Sequence, residues 1–256
     1  MQSFTWGRAL CSAGVLLSLA PLSFSAAHAQ VTVTNLVAGD NATVQPAGPR
    51  TGGNGKVFFN IEGSSNGAFS SYGVLDFNAG TFANVSSINS LNLRLTNAPA
   101  GFTRTGPINF YLATNTTASI QPGGGLNFVG TGEGVSSGGQ LGTLFSLGSG
   151  DFTATGTNFN YSLALTGAAA QTYFASQLGA GGTLRFVITP STPGVAATFA
   201  GVQFNTITSR PSLSFTATQV TTPPVGGAAP EPGTLALVGA ALVGGLSVRT
   251  ARRRRG

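Results

Sequence analysis

Apolar and polar residues alternate with a period of two along much of the chain, the pattern of strands with one face buried. Leu91, Leu93 and Leu95 fall on one face against Asn92, Arg94 and Thr96 on the other. Ile108, Phe110 and Leu112 alternate with Asn109 and Tyr111, and Phe159, Tyr161, Leu163 and Leu165 alternate with Asn158, Asn160 and Ser162. Leu184, Phe186 and Ile188 flank Arg185, while Leu213 and Phe215 alternate with Ser212, Ser214 and Thr216. Fainter strand signals lie at Val31 to Leu36, Lys56 to Ile61, Tyr72 to Phe77, Leu126 to Val129, Leu141 to Leu147 and Ala197 to Phe204.

Glycine, proline, asparagine and serine punctuate these segments as turn residues do. One segment reads as a helix: Ala168 to Leu178 clusters Tyr173, Phe174 and Leu178 at helical spacing, with Gly179 placed as its stop. A single short helix among about eleven strands does not make a βαβ series. The expected fold is all-β, an antiparallel β-sandwich of jelly-roll-like type with one short helix, over residues 30–219.

The two ends break this pattern. Arg8 followed by the apolar run Ala9 to Leu22 and the small-x-small triplet Ala27-His28-Ala29 has the layout of a secretory signal over residues 1–29, cut by signal peptidase after Ala29. Cys11 precedes most of the apolar run, where a lipid-modified cysteine would follow it, so the signal is not of the lipoprotein kind. At the other end a Pro/Gly/Thr-rich linker over 220–229 leads to Pro230-Glu231-Pro232. An uncharged apolar segment follows over 233–248, and then Arg249 and the run Arg252, Arg253, Arg254 and Arg255.

As a helix the apolar segment is about 24 Å long, short of a hydrocarbon core of roughly 30 Å but able to span it with local thinning and arginine snorkelling. The arginines would stay cytoplasmic under the positive-inside bias, leaving the body of the chain outside the inner membrane. Ala236, Ala240 and Gly244, four apart, also offer a small-residue face for packing against another helix.

This order of PEP triplet, short apolar helix and terminal arginines over 230–256 resembles the PEP-CTERM sorting signal of Gram-negative bacteria. The resemblance implies an exosortase that cuts near Pro230, Glu231 and Pro232 and hands the body to the surface or matrix, in a setting of exopolysaccharide and biofilm. A second, looser resemblance lies in Tyr72-Gly-Val-Leu-Asp-Phe77, Ser87 to Leu95 and Ser209-Arg-Pro-Ser-Leu-Ser-Phe215. These are similar to strands of jelly-roll modules in bacterial surface and carbohydrate-associated proteins.

The formal charge of +6 suggests nucleic-acid binding until the charges are placed. Between Gln30 and Ala229 stand six bases (Arg50, Lys56, Arg94, Arg104, Arg185, Arg210) against five acids (Asp40, Glu62, Asp76, Glu133, Asp151), a balance of +1. A near-neutral body without a basic cluster lacks the phosphate-neutralising term on which nucleic-acid affinity rests, so no nucleic-acid partner is expected.

Met1, Trp6, Cys11 and His28 are the only residues of their types, and all lie within the first thirty. The mature chain then has no disulfide, no usual zinc, copper or haem ligand, and no histidine for a Ser-His-Asp relay. Gly63-Ser64-Ser65-Asn66-Gly67 matches the nucleophile-elbow pattern by letter but lacks that base. The glycine groups at 123–125 and 130–134 do not complete a phosphate loop.

A glycosidase pair needs only two carboxylates, yet none of the five acids is locally clustered in sequence. Asp76, Glu133 and Asp151 could offer oxygens to calcium but form no dense Asp/Asn loop. No catalytic residue, metal site or cofactor is therefore expected.

Glycan stacking platforms are thin, with Tyr72, Tyr111, Tyr161 and Tyr173 the only tyrosines and Tyr111 the best placed of them. Asn41, Asn84, Asn115 and Asn160 fit the N-glycosylation pattern and read as solvated turn or strand residues. The sequence thus describes an exported structural or interaction protein of the cell surface or matrix, with a carbohydrate-binding module as the alternative. Its expected partners are signal peptidase, exosortase, the inner membrane in passing, and extracellular polysaccharide.

Overall fold

A computed structural model describes residues 27–50, 54–122, 125–126, 128 and 139–221. The chain begins with β1 (Ala27–Val37), β2 (Asp40–Gln45) and β3 (Gly48–Arg50), and a helical turn α1 (Asn54–Val57) leads into β4 (Phe58–Glu62). After a 3-10 turn over Ser64–Phe69 come β5 (Tyr72–Asn78), β6 (Val85–Thr96) and β7 (Gly106–Ala113). Then follow β8 (Leu144–Phe152), β9 (Asn158–Leu163), α2 (Ala168–Ala180), β10 (Thr183–Pro190), β11 (Ala196–Ala200) and β12 (Ser212–Thr221).

All the strand pairs are antiparallel. One sheet has the order β1-β12-β6-β9, the second β3-β2-β5-β10-β7-β8, and β11 and β4 form a small third sheet. Each alternating run turns its apolar side inward. In the four-stranded sheet Phe215, Leu91 and Leu163 stand in one row and Leu213, Leu93 and Tyr161 in the next. Ile108, Phe110 and Leu112 of β7, Leu184, Phe186 and Ile188 of β10, and Leu75 and Phe77 of β5 meet them from the six-stranded sheet in a single apolar core.

The two sheets therefore face one another as a sandwich. Burying each such side chain contributes about 1.5–3 kcal/mol, which is why the period-two pattern governs the register. The central strand β10 is buried on both faces. Its outer residue Val187 joins Ala42, Val44, Tyr72, Val74 and Ala113 in a second apolar layer, roofed by Ile120, Leu126 and Leu141 from the connection between β7 and β8.

Several boundaries differ from the sequence reading. The helix runs two residues past Leu178, through a helical Gly179, and its stop is Gly181 at φ +63°, whose N–H reaches the carbonyls of Gln177 and Leu178. Lys56 and Val57 belong to α1 and not to a strand, and residues 201–204 turn away after β11. β8 starts at Leu144, three residues after the expected Leu141, and Leu126 and Phe128 pack in the connection between β7 and β8, a strap over the outer layer, without joining a strand.

β2 had no clear signal because its buried positions include polar side chains. Asn41 is fully buried, donating through Nδ2 to Gly55 O at 2.9 Å and accepting from Val202 N at 2.8 Å. Thr43 Oγ1 accepts from Asn60 N at 2.8 Å. Asn41 is thus an internal strut and not a solvated residue.

Candidate functional site: the pole of the two ends and the polar sheet face

Because β1 pairs antiparallel with β12, the start of one lies beside the end of the other. Ala27 faces Thr221, His28 faces Val220 and Ala29 faces Gln219. Val220 N donates to Asn84 O at 2.9 Å and Gln219 Nε2 to Ala83 O at 2.8 Å, which fixes this end of β12 to the turn before β6. Both ends of the body leave from this pole.

Of the residues expected to direct processing, Ala27 and Ala29 lie at this pole within β1. The rest of the expected signal, Pro230, Glu231 and Pro232, the apolar segment 233–248, and Arg249, Arg252, Arg253, Arg254 and Arg255 lie outside the described residues. No helix among the described residues is long and apolar enough to cross a membrane.

The polar halves of the alternating strands assemble into one outer face. Thr32, Thr216 and Ser90 are cross-strand neighbours; Ser214, Asn92 and Ser162 form the next row, and Ser212, Arg94 and Asn160 the one after. Such rows repeat about every 6.7 Å along the strands and about 4.8 Å across them. Ser90 and Thr216 share a hydroxyl hydrogen bond of 2.7 Å, and Thr96 Oγ1 donates to Asn158 Oδ1 at 3.0 Å. Arg94 is the only lysine, arginine, aspartate or glutamate on the four strands. Its Nε donates to Ser212 Oγ at 3.0 Å, its Nη2 to Arg210 O at 3.5 Å and its Nη1 to Thr208 O, folding its charge down onto the 207–210 turn.

The acids are spent elsewhere. Asp40 and Asp76 face each other across β2 and β5, a juxtaposition that their spacing in sequence conceals. Each is neutralised: Asp40 pairs with Lys56 and accepts from Gln121 Nε2 at 2.8 Å, and Asp76 is held by Arg185. Glu62 is buried, accepts from Asn60 Nδ2 at 2.9 Å, and has its carboxyl pushed above the usual range by loss of water, with Asn60 and Arg50 offsetting part of the effect. Asp151 is exposed on the edge strand β8 and Glu133 lies outside the described residues. Asp76 and Asp151 are not brought together, and no group of three His, Cys, Asp or Glu residues gathers among the described residues.

The aromatic inventory is likewise internal. Tyr72 is buried and stacks on Phe128 at 6.3 Å, Tyr161 OH donates to Asp151 O at 3.2 Å, and Tyr173 OH donates to Thr114 O at 3.2 Å. Burial raises all three phenols above their ordinary value. Tyr111 is half-buried against the second apolar layer. Among the described residues, the aromatic rings that stand in solvent are Phe69 at 63% exposure and Phe102 at 44%, both in turns outside any alternating run and so without a periodic signal. Ser64 and Ser65 of the elbow-like pentad sit in the 3-10 turn, not at a junction of strand and α-helix.

No curated protein matches the chain. Residues 228–255, which follow the end of β12 by six residues, match the model of the PEP-CTERM protein-sorting motif. The chain therefore carries a PEP-CTERM sorting motif, which implies export, processing by an exosortase, transient membrane anchoring, and final placement at the cell surface or outside the cell.

Proposed function

We propose that this protein is a non-catalytic structural or interaction component of the cell surface or extracellular matrix, in a setting of exopolysaccharide or biofilm. The single observation that carries the reading is the sorting motif at 228–255, joined to a body that ends at Thr221. The order of events follows from the ends: signal peptidase removes residues 1–29, the segment 233–248 holds the body at the inner membrane, and exosortase cuts near Pro230, Glu231 and Pro232. The strand order supports reading the sandwich as a jelly roll. β1-β12-β6-β9 opposite β5-β10-β7-β8 is two interlocked Greek keys, with β2, β3, β4 and β11 as additions.

Comparing the protein by mass and by cell fraction in cells with and without exosortase tests the sorting. A shorter, released product that reverts to a longer, membrane-held one without exosortase supports it. The same mass and retention in both strains overturns it.

A second reading, a carbohydrate-binding module, draws on the polar face. Ordered hydroxyls and amides with one folded-back charge offer hydrogen-bonding groups at sheet spacing to a neutral polysaccharide. Titrating the protein against the organism's own polysaccharide tests it. Binding that falls on Asn92→Ala and Asn160→Ala supports this reading, and no binding leaves the scaffold role.

A further inference from the structure

Sheet edges in soluble proteins are normally blunted, by shortness, proline, charge or bulges, because an open edge pairs with other chains. Three of the four edges of the two main sheets are blunted. β3 has three residues and includes Pro49 and Arg50. β8 carries Asp151, Gly148 at φ +109° and a register shift opposite Phe110 and Tyr111. β9 has six residues, and the chain after it is tied back by Ala164 N to Leu147 O at 3.0 Å.

β1 has none of these devices along most of its length. Its eleven residues include no proline, glycine, lysine, arginine or acid, and on its other side no strand pairs with it among the described residues. Its register with β12 is regular from Ala27 to Val33, and the shift, with Asn35 at φ +54°, comes only after that stretch. In an antiparallel ladder alternate residues turn their N–H and C=O to the same side, so half of this stretch offers both groups outward.

We propose that β1 is a self-association edge: a second copy of this chain adds its own β1 antiparallel to it, about a two-fold axis through Thr32. The occupant follows from self-complementarity. Centring on Thr32 sets Thr32 against Thr32 of the partner subunit, Val31 against the partner's Val33, and Gln30 against the partner's Thr34. Inward-facing valines then meet valines, the outer polar residues meet polar residues, and no charge opposes its like. The five residues used all follow Ala29, so the pairing survives removal of the signal. It joins two four-stranded sheets into one and doubles the polar face.

The antiparallel arrangement also points the two Thr221 ends in opposite directions, which suits bodies already cut free of the membrane.

The test uses the exported protein recovered from its producing cells. Since the only cysteine is Cys11, in the expected signal, Thr32→Cys supplies a single thiol. Directly opposed Cβ atoms lie about 4.5–5.5 Å apart, a small strand shift from the roughly 3.5–4.5 Å of a disulfide, so Thr32→Cys is expected to form a disulfide dimer at least about tenfold faster than Asn160→Cys on the opposite edge of the sheet. Thr32→Lys and Thr32→Glu should each sediment as monomers while circular dichroism keeps the native signal, and an equimolar mixture of the two should restore the dimer. Wild-type sedimentation as a monomer across micromolar to millimolar concentrations overturns the proposal. So does Thr32→Cys cross-linking no faster than the Asn160→Cys control, or a mixture of the two charge variants that stays monomeric.

Discussion

Arg185 grips Asp76 with two parallel bonds, Nε to Oδ1 and Nη2 to Oδ2, each 2.8 Å long, at a position where the arginine side chain is 2% exposed. Its remaining nitrogen, Nη1, donates to Asn115 O at 3.2 Å and Ala118 O at 2.8 Å, so the same side chain ties down the strap that roofs the outer layer. Removing one partner of a buried pair leaves the other charge uncompensated, and Asp76→Asn is expected to cost about 3–5 kcal/mol in chemical denaturation. Adding an apolar partner change, Asp76→Leu with Arg185→Met, should recover most of that loss. The strap amides near Ala118 should nonetheless exchange faster with deuterium in the double variant, because their anchor is gone.

Glu62 supplies the pH dependence. A carboxyl raised by burial above its ordinary value of 4.5 holds its proton more tightly folded than unfolded. Its contribution to stability is complete below the unfolded value and is lost as pH rises through the higher folded value. Glu62→Gln keeps an acceptor for Asn60 Nδ2 and removes the charge. It should therefore be more stable than wild type at neutral pH, with the gap closing as the pH falls below the ordinary glutamate value. Urea midpoints of both proteins from acid to neutral pH check this, and a gap that widens toward acid would contradict it.

Gly150 is required by a ring. A Cβ placed there would stand 2.4 Å from Cδ1 of Tyr161 and 2.7 Å from its Cε1, and Tyr161 is already packed on Phe110 with centroids 4.6 Å apart. Gly150→Ala should destabilise by about 1–3 kcal/mol, read as a lowered melting temperature. An unchanged melting temperature would mean that β8 shifts outward freely.

Gln171 acts as a one-residue strand. Its Oε1 accepts from Ile88 N at 2.8 Å, and its Nε2 donates to Ile88 O and Leu165 O, both at 3.1 Å. The side-chain amide thus closes the edge of β6 where β9, paired only from Leu91 to Thr96, no longer covers it. Gln171→Ala should cost about 1–2 kcal/mol and sharply raise deuterium exchange at Ile88, and Gln171→Glu should recover only the acceptor half.

Much of the sandwich is visible in the sequence because a strand with one wet face must alternate. Leu91, Leu93 and Leu95 announce β6 before any coordinate is known, and the same residues announce that Asn92, Arg94 and Thr96 share the other side. That those polar sets align with Ser162, Asn160 and Asn158 across the sheet is a matter of register between distant segments, which periodicity does not encode. β2 escaped because Asn41 and Thr43 are buried through hydrogen bonds, and hydropathy reads a satisfied amide as a solvated one. The cross-strand meeting of Asp40 with Asp76 was hidden for the same reason as the register. The helix stop was misplaced by two residues because Gly179 and Gly181 look alike until one of them is seen to need a left-handed backbone.

The position of β12 has a mechanical meaning. It ends at Thr221, six residues before the sorting motif begins, yet it lies inside its sheet with β1 on one flank and β6 on the other. Hydrogen bonds in an antiparallel ladder run across the strands, so a pull along β12 from its Thr221 end strains both ladders at once instead of peeling them rung by rung. Loaded along this strand, the body resists as a riveted joint does and not as a zipper.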